Sequence, residues 1–460
     1  MMRRRRTARW RGAKERRCHP SAGARAAGPS ARARAAVVGA LLLGTTAVLP
    51  GRPALAAGTP SPYAFAPDAR PVTGAASAKD AALLTPGATY KSSLRSGGKT
   101  YYRLSLDATS DAYVSATAIP APGSTASDGD GIKVTVQGPD DRDCSRDTET
   151  FGVAHSPRPI VAWGAREVSA HRSYCRRGGT YYVIVERVGT VNATWDTWDL
   201  ELFATSEPHL KQAGATRAPE AWNSASPTPL TGEVVRREGG AGFASAVSVG
   251  QGVWSSDIAP GGTLFYKVPL NWGRQLYATA ELDSSNSGAG STAGALNLAL
   301  YNPARGLIDD VSAHYNGRQK AAAELRPLPP VAYENRYDGL ARYSRMRFAG
   351  SYYLVVHLSA EVAETYGDGP FRLTLRVRME GATEAGPGYA GESEPRGVFE
   401  VAAGDLGVAA GGQGGEGGGG GGDGGTAMTV LAVSGIGVGT VLLGALGVWT
   451  VVARRRLRAW

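Results

Sequence analysis

Chemistry in this chain would have to come from cysteine, histidine, carboxylate or serine side chains, and the sequence offers few arrangements of them. Of three cysteines, Cys18 sits in an Arg-rich N-terminal stretch, while Cys144 and Cys175 are 31 positions apart. That separation lacks the close ligand spacing of a zinc site. In an exported chain the pair reads as a disulfide. Closing a loop of this length contributes about 3–4 kcal/mol in the chain-entropy model. A metal pair with His155 or His171, or two free thiols, are the alternatives left open.

No His-x-x-x-His or His-Glu-x-x-His spacing is present among His155, His171, His209, His314 and His357. His357 lies in an apolar strand-like run and reads as structural. A Gly-x-Ser-x-Gly elbow is missing from the central region, although Ser, His and Asp can meet in space from any order. Asp128 and Asp130, in Ser-Asp-Gly-Asp-Gly, with Asp140, Asp141 and Asp143 nearby, are oxygen donors suited to Ca²⁺. They do not match the twelve-residue loop pattern, and Asp and Gly are ordinary turn residues. The turn reading is preferred, and no cofactor other than Ca²⁺ comes into question. Arg172, Arg176 and Arg177 form a small basic cluster around Cys175, read as a solvated loop. Trp163, Trp195, Trp198, Trp254 and Trp272 are platforms for a sugar or core residues, with core preferred.

The elements that would position these residues repeat. Thr100–Leu106 (TYYRLSL) matches Leu264–Leu270 (LFYKVPL), 164 residues later, and each follows a Gly-Gly pair. Tyr113–Ala118 matches Leu276–Glu281, Ile132–Val136 matches Leu296–Leu300, Gly179–Val185 matches Gly350–Val356, and Trp198–Leu202 matches Phe371–Leu375. Five matches in one order indicate an internal duplication. The segments alternate apolar and polar residues or are short β-branched and aromatic runs between Gly, Pro, Asn and Asp, which is the pattern of strands. The expected fold class is all-β: two tandem jelly-roll-like β-sandwiches, residues 85–205 and 245–380, plus one C-terminal transmembrane helix. Each half is large enough to bury its own core.

The motif order, with Ile132–Asp140 (IKVTVQGPD), Leu296–Ala304 (LNLALYNPA) and the two Gly-x-Tyr-Tyr strands, resembles the bacterial pre-peptidase C-terminal domain, a small jelly-roll-like sandwich appended to exported peptidases and other exported proteins. The resemblance covers both repeats. It implies the fold more than the function, and a Ca²⁺ option at loops such as that of Asp128 and Asp130. The chain departs from the family in having no peptidase domain and in a long insertion before each Gly-x-Tyr-Tyr strand, residues 140–177 and 303–347, expected to present the partner-facing surface.

The ends fix the expected compartment. An Arg-rich stretch, the apolar run Ala35–Leu49, and Ala54-Leu55-Ala56 read as a secretory signal over 1–56. Residues 57–84 read as an N-terminal linker, 206–244 as an interdomain linker, and 381–427 as a Gly-rich flexible tether reaching roughly 40 Å. Met428–Ala453 carries no charge and exceeds the ~20 residues a membrane span needs. Arg454, Arg455, Arg456 and Arg458 follow, a membrane-stop cluster that would hold the tail at 454–460 in the cytoplasm. Thirteen of the 50 Lys and Arg but one of the 40 Asp and Glu lie in residues 1–56. The rest of the chain is near neutral, which argues against a nucleic-acid partner. The expected function is a noncatalytic, single-pass cell-surface binding protein. Its expected partners are the lipid bilayer, through the C-terminal helix, and an unidentified envelope protein or cell-wall component. The alternatives are an accessory subunit of an envelope protease or secretion system, and a hydrolase with an unrecognised site.

Overall fold

A computed structural model describes residues 62–409 except 122–123, 153–155, 169–172, 190–195, 229 and 286–287. The first half forms two five-stranded sheets. One runs in the order β1 (Arg70–Pro71), β3 (Thr89–Leu94), β10 (Trp198–Glu207), β5 (Asp111–Ile119), β8 (Ile160–Arg166). The other runs β2 (Ala82–Leu84), β4 (Lys99–Leu106), β9 (Gly179–Val188), β6 (Gly131–Gln137), β7 (Asp143–Thr150). The second half repeats this strand for strand. Its sheets are β11 (Val234–Arg236), β13 (Gly252–Ile258), β20 (Phe371–Glu380), β15 (Gln275–Leu282), β18 (Ala321–Glu324), and β12 (Val247–Ser248), β14 (Thr263–Leu270), β19 (Gly350–Leu358), β16 (Thr292–Tyr301), β17 (Leu307–Tyr315). Adding ten to each label converts one half into the other. In each half the two shortest strands add parallel to an edge, and all other pairs are antiparallel.

The five sequence matches fall on the equivalent pairs β4/β14, β5/β15, β6/β16, β9/β19 and β10/β20. The Gly-Gly turns correspond as well. Gly97 and Gly261 have φ of +59° and +75°, where a Cβ would be strained. Gly98 N–H and Gly262 N–H close the turns on Arg95 O and Ala259 O at 2.9 Å each. Each sandwich also carries the same buried bond, Ser92 Oγ to Tyr102 Oη at 2.7 Å and Ser256 Oγ to Tyr266 Oη at 2.8 Å.

Two separate cores result, one packed around Leu104, Val134, Val183 and Leu200, the other around Val268, Leu298, Leu354 and Leu373. Alternation along the strands then assigns the opposite faces. On β8, Ile160 and Ala162 enter the first core, while Val161 and Trp163 point out of it. Likewise Leu298 and Leu300 enter the second core, while Ala299 and Tyr301 point away. The outward residues are nevertheless buried, because the outer face of β5 and β8 packs against the outer face of β14, β19 and β16, with Phe243 and Phe265 between them.

Several sequence expectations need correction. The apparent insertions are not additions: 140–177 contains β7 and β8, and 303–347 contains β17 and β18, which are equivalent strands. They escape matching because β7 is polar and β8 is apolar on both faces. The N-terminal linker holds β1 and β2, with Leu84 fully buried. Within 206–244, Phe243 is a buried anchor between the halves. The tether is structured through residue 409: Tyr389 and Glu394 form bridges to Leu210 and Ser206, Phe399 is buried, and a short helix, α1 (Ala403–Ala409), follows. A few aromatic anchors outweigh the Gly-rich composition there. Among the described residues no helix is long and apolar enough to cross a membrane. The signal segment 1–56, Met428–Ala453 and the Arg454–Arg458 cluster lie outside them.

Tyr266→Phe is expected to lower stability by about 1–3 kcal/mol, because it strands the buried Ser256 Oγ. Tyr102→Phe should do the same in the first half, and urea midpoints at constant slope would show both. A loss from only one of the two would contradict the structural equivalence of the bonds.

Candidate functional site

The face between the sandwiches is where the unusual side chains gather. Four arginines of the second half meet carboxylates of the first. Arg336 Nη2 lies 2.6 Å from Glu207 Oε1, and its Nη1 lies 3.2 Å from Asp111 Oδ2. Arg305 Nη1 is 2.5 Å from Glu201 Oε1, with both side chains buried. Arg345 Nη2 is 2.9 Å from Asp147 Oδ1, and Arg347 pairs with Glu167. Arg158 reaches the other way, 3.6 Å from Asp310 Oδ2. The chain segments explain this reach. Arg305 and Arg345 lie on the connections flanking β17 and β18, and Arg336 lies in the 3-10 turn Tyr333–Tyr337, all in the stretch that crosses toward the first sandwich.

These charges are well solvated by the protein. Glu207 also accepts the hydroxyls of Tyr113 at 2.7 Å and Tyr389 at 2.8 Å. Glu201 accepts Tyr63 Oη at 3.0 Å and Ala66 N–H at 2.9 Å. Arg336 stacks over Tyr333 at 3.5 Å, and Arg305 over Phe203 at 4.4 Å. A buried ion pair adds little net stability over an apolar substitute, but breaking one by removing a single partner is costly. Burial, followed by Glu207, raises Asp111 above the usual carboxylate range against the pull of Arg336. The half-buried Glu149 is pushed up to about 8 by desolvation and then by Asp310.

A Ser–His pair also forms here, one that sequence spacing does not reveal. His357 Nε2 is 2.8 Å from Ser156 Oγ and His357 Nδ1 is 2.9 Å from Thr263 Oγ1. Ser156 Oγ also accepts the Ala360 N–H at 3.1 Å. Threonine stands where an acid would orient the ring. Desolvation, then Arg158, depresses His357 to about 3. Both side chains are 1% exposed. The ring is therefore neutral and enclosed, and the pair braces β19 against the loop before β8.

The other sequence-derived candidates resolve as follows. Cys144 and Cys175 are joined in a disulfide, Cα–Cα 5.8 Å, inside the first core, tying β7 to the loop before β9. Asp130 is 3% exposed and its Oδ2 accepts the Ser127 N–H at 2.9 Å, an internal turn cap. Arg187, over the Trp198 ring at 3.8 Å, feels its charge. Among the described residues no group of three or more His, Cys, Asp and Glu could hold a metal. Asp128 and Asp130 are therefore not joined there by further acidic ligands. Trp163 packs on Tyr113 between the sandwiches, centroids 5.3 Å apart, and Trp198, Trp254 and Trp272 are buried. Trp195, His155 and His171 lie outside the described residues.

Beside the Ser156–His357 contact a cleft of about 690 Å³ opens. Ile119 and Pro120 at the end of β5, Pro157–Pro159, Pro260 in the β13–β14 turn, Phe265, and Tyr63 and Phe65 of the N-terminal segment line it. Both sandwiches are needed to form its walls.

Comparison with protein-family models finds no match, and comparison with curated proteins finds none. Among solved structures, the chain is similar to the N-terminal CBM22-1-CBM22-2 tandem domain of Paenibacillus barcinonensis Xyn10C, at 13% identity over 64% of this chain and 93% of that one, TM-score 0.18. It is similar to the CUB1-EGF-CUB2 domain of human MASP-1/3, at 8% identity over 63% and 99%, TM-score 0.16. Tripeptidyl peptidase 2 matches at 9% identity over 62% of this chain and 22% of its own, TM-score 0.18. At such scores these likenesses carry no argument about activity or ligand.

Arg336→Met should lower stability by about 3–5 kcal/mol, since it leaves Glu207 and Asp111 buried without their cation. Equilibrium urea unfolding checks this, and a loss below about 1 kcal/mol would mean the charges are solvated and the seam open. His357 adds a pH signature. Its folded affinity for protons is depressed below the unfolded value of 6.5, so its contribution is full above that pH and is lost as pH falls toward 3. From about pH 7 to about pH 5 this amounts to about 2 kcal/mol. His357→Gln should flatten that part of the stability profile, and an unchanged slope would place the ring in solvent. Glu149 acts in the opposite sense: its contribution is present at low pH and is lost as pH rises through about 8.

Proposed function

We propose that this chain is an exported, noncatalytic binding protein: two tandem jelly-roll-like sandwiches, anchored by the apolar segment Met428–Ala453 with the Arg cluster on the cytoplasmic side. The observation that carries the binding reading is the cleft between two sandwiches locked together by buried charge. Cavities at domain junctions, with fixed walls, are preferred ligand sites. The partner-facing surface is accordingly this cleft. The stretches 140–177 and 303–347 serve mainly to join the halves.

Three further points support the reading. Without the two short parallel strands, each half has eight strands in the sheet orders first-eighth-third-sixth and second-seventh-fourth-fifth, which is jelly-roll connectivity and fits the resemblance to the pre-peptidase C-terminal domain. The buried disulfide suits an oxidising compartment. The one Ser–His contact described above is enclosed and lacks an acid, which favours a noncatalytic role.

Fractionation tests the anchoring. The chain should stay with membranes through salt and carbonate washes, and external protease on intact cells should remove the sandwiches. Release by salt alone would contradict it. For the noncatalytic reading, a fluorophosphonate probe should leave Ser156 of the native protein unmodified. Stoichiometric labelling at that residue would make the chain a hydrolase.

A further inference from the structure

The chemistry of the cleft walls narrows what the cleft can hold. Only two of its lining residues, Arg158 and Asp199, are charged, and both are engaged. Arg158 Nη1 donates to Phe151 O at 3.0 Å while Nη2 faces Asp310. Asp199, at the rim, lies 3.7 Å from Lys91 Nζ. The polar groups are largely committed too. Tyr63 Oη donates to Glu201, and Thr263 Oγ1 is bonded to His357. The Oγ of Ser124 is itself buried and presents no surface to the cleft. The remaining wall is mostly carbon, with five prolines (Pro62, Pro120, Pro157, Pro159 and Pro260) beside Phe65, Phe265 and Ile119.

Prolines offer no N–H. A glycan or peptide backbone would surrender hydrogen bonds to water here and regain few. A charged ligand would meet charges that already face an opposite one, Arg158 with Asp310 and Asp199 with Lys91. An apolar ring system gains from desolvation on every wall. The volume of about 690 Å³ lies within the usual range for small-ligand sites.

From this arrangement we propose that the cleft binds an uncharged, mainly apolar small molecule. The proposal rests on the binding reading above and names its ligand class.

Hydroxymethyl-benzophenone is a suitable probe, because it is uncharged, mainly apolar and photoreactive. It is irradiated with the full chain in carbonate-washed membranes, and the labelled peptides are mapped. Labelling is expected on the peptides around Tyr63–Phe65, Ile119–Ala121 and Pro157–Pro159, competed away by excess diphenylmethanol. The carboxylate analogue should label these peptides about ten-fold less. Ala121→Trp, which fills the cleft, should abolish cleft labelling, with the Cys144–Cys175 peptide pair showing that the variant is folded. If that variant misfolds, competition and the carboxylate comparison decide. Labelling restricted to Met428–Ala453, labelling that diphenylmethanol does not compete, or equal labelling by the carboxylate would each overturn the proposal. The two failures separate: loss of the chain from washed membranes speaks against the anchored reading. Correct fractionation without competed cleft labelling sinks the ligand class alone.

Discussion

Burial of opposite charges between two β-sandwiches is the constraint on which the rest of this structure depends. Glu201 and Glu207 lie on a strand of the first half and are almost fully buried, so each must be met by a cation. The second half supplies Arg305 and Arg336. Such pairs contribute little net stability compared with apolar packing, but they tolerate very few relative placements of the two halves. Around them, Phe243, Phe265, Tyr301, Trp163 and Phe348 supply the apolar contact that holds the faces together. The charges set the register, and the aromatics provide the burial.

That register has consequences outward. Because the outer faces of β8 and β16 are covered, both faces of these strands can be apolar without exposing a sticky surface. The disulfide fixes β7 within the first core, and β7 carries Asp147, which meets Arg345. The segments before the first sandwich and after the second close over the same seam: Tyr63 reaches Glu201 and Tyr389 reaches Glu207. With the halves held in this way, the walls of the Pro-rich cleft become a fixed shape, as a preorganised site requires.

Much of the fold was legible in the sequence. The five repeated segments land on equivalent strands because each builds a sandwich core with a two-residue period, and that period is written locally. The pairing of Cys144 with Cys175 was legible from their number and from the export that the N-terminal segment led one to expect. The seam was harder to read. The run Ile160–Ala165 (IVAWGA) is apolar without alternation, and Leu296–Tyr301 nearly so, which is the signal of a strand covered on both sides. Which surface covers it is a long-range fact: Arg336 and Asp111 are 225 residues apart. β7, β8, β17 and β18 were mistaken for insertions because their sequences do not match between the halves, β7 being polar and β8 apolar on both faces. The anchors Tyr389 and Phe399 were obscured by the Gly-rich sequence around them. Ser156 and His357, 201 positions apart, share no spacing that could have announced their contact.

The two sandwiches form one body through buried charge. A double-mutant cycle on Arg305 and Glu201, read by equilibrium unfolding of Arg305→Met, Glu201→Leu and the double variant, tests this most directly. The two residues belong to different halves, 104 positions apart, and no route other than the seam couples them. A coupling of about 1–3 kcal/mol is expected, with the double variant less destabilised than the sum of the singles. Additivity within about 0.3 kcal/mol would mean that the halves stand apart, and would remove the cleft together with the seam.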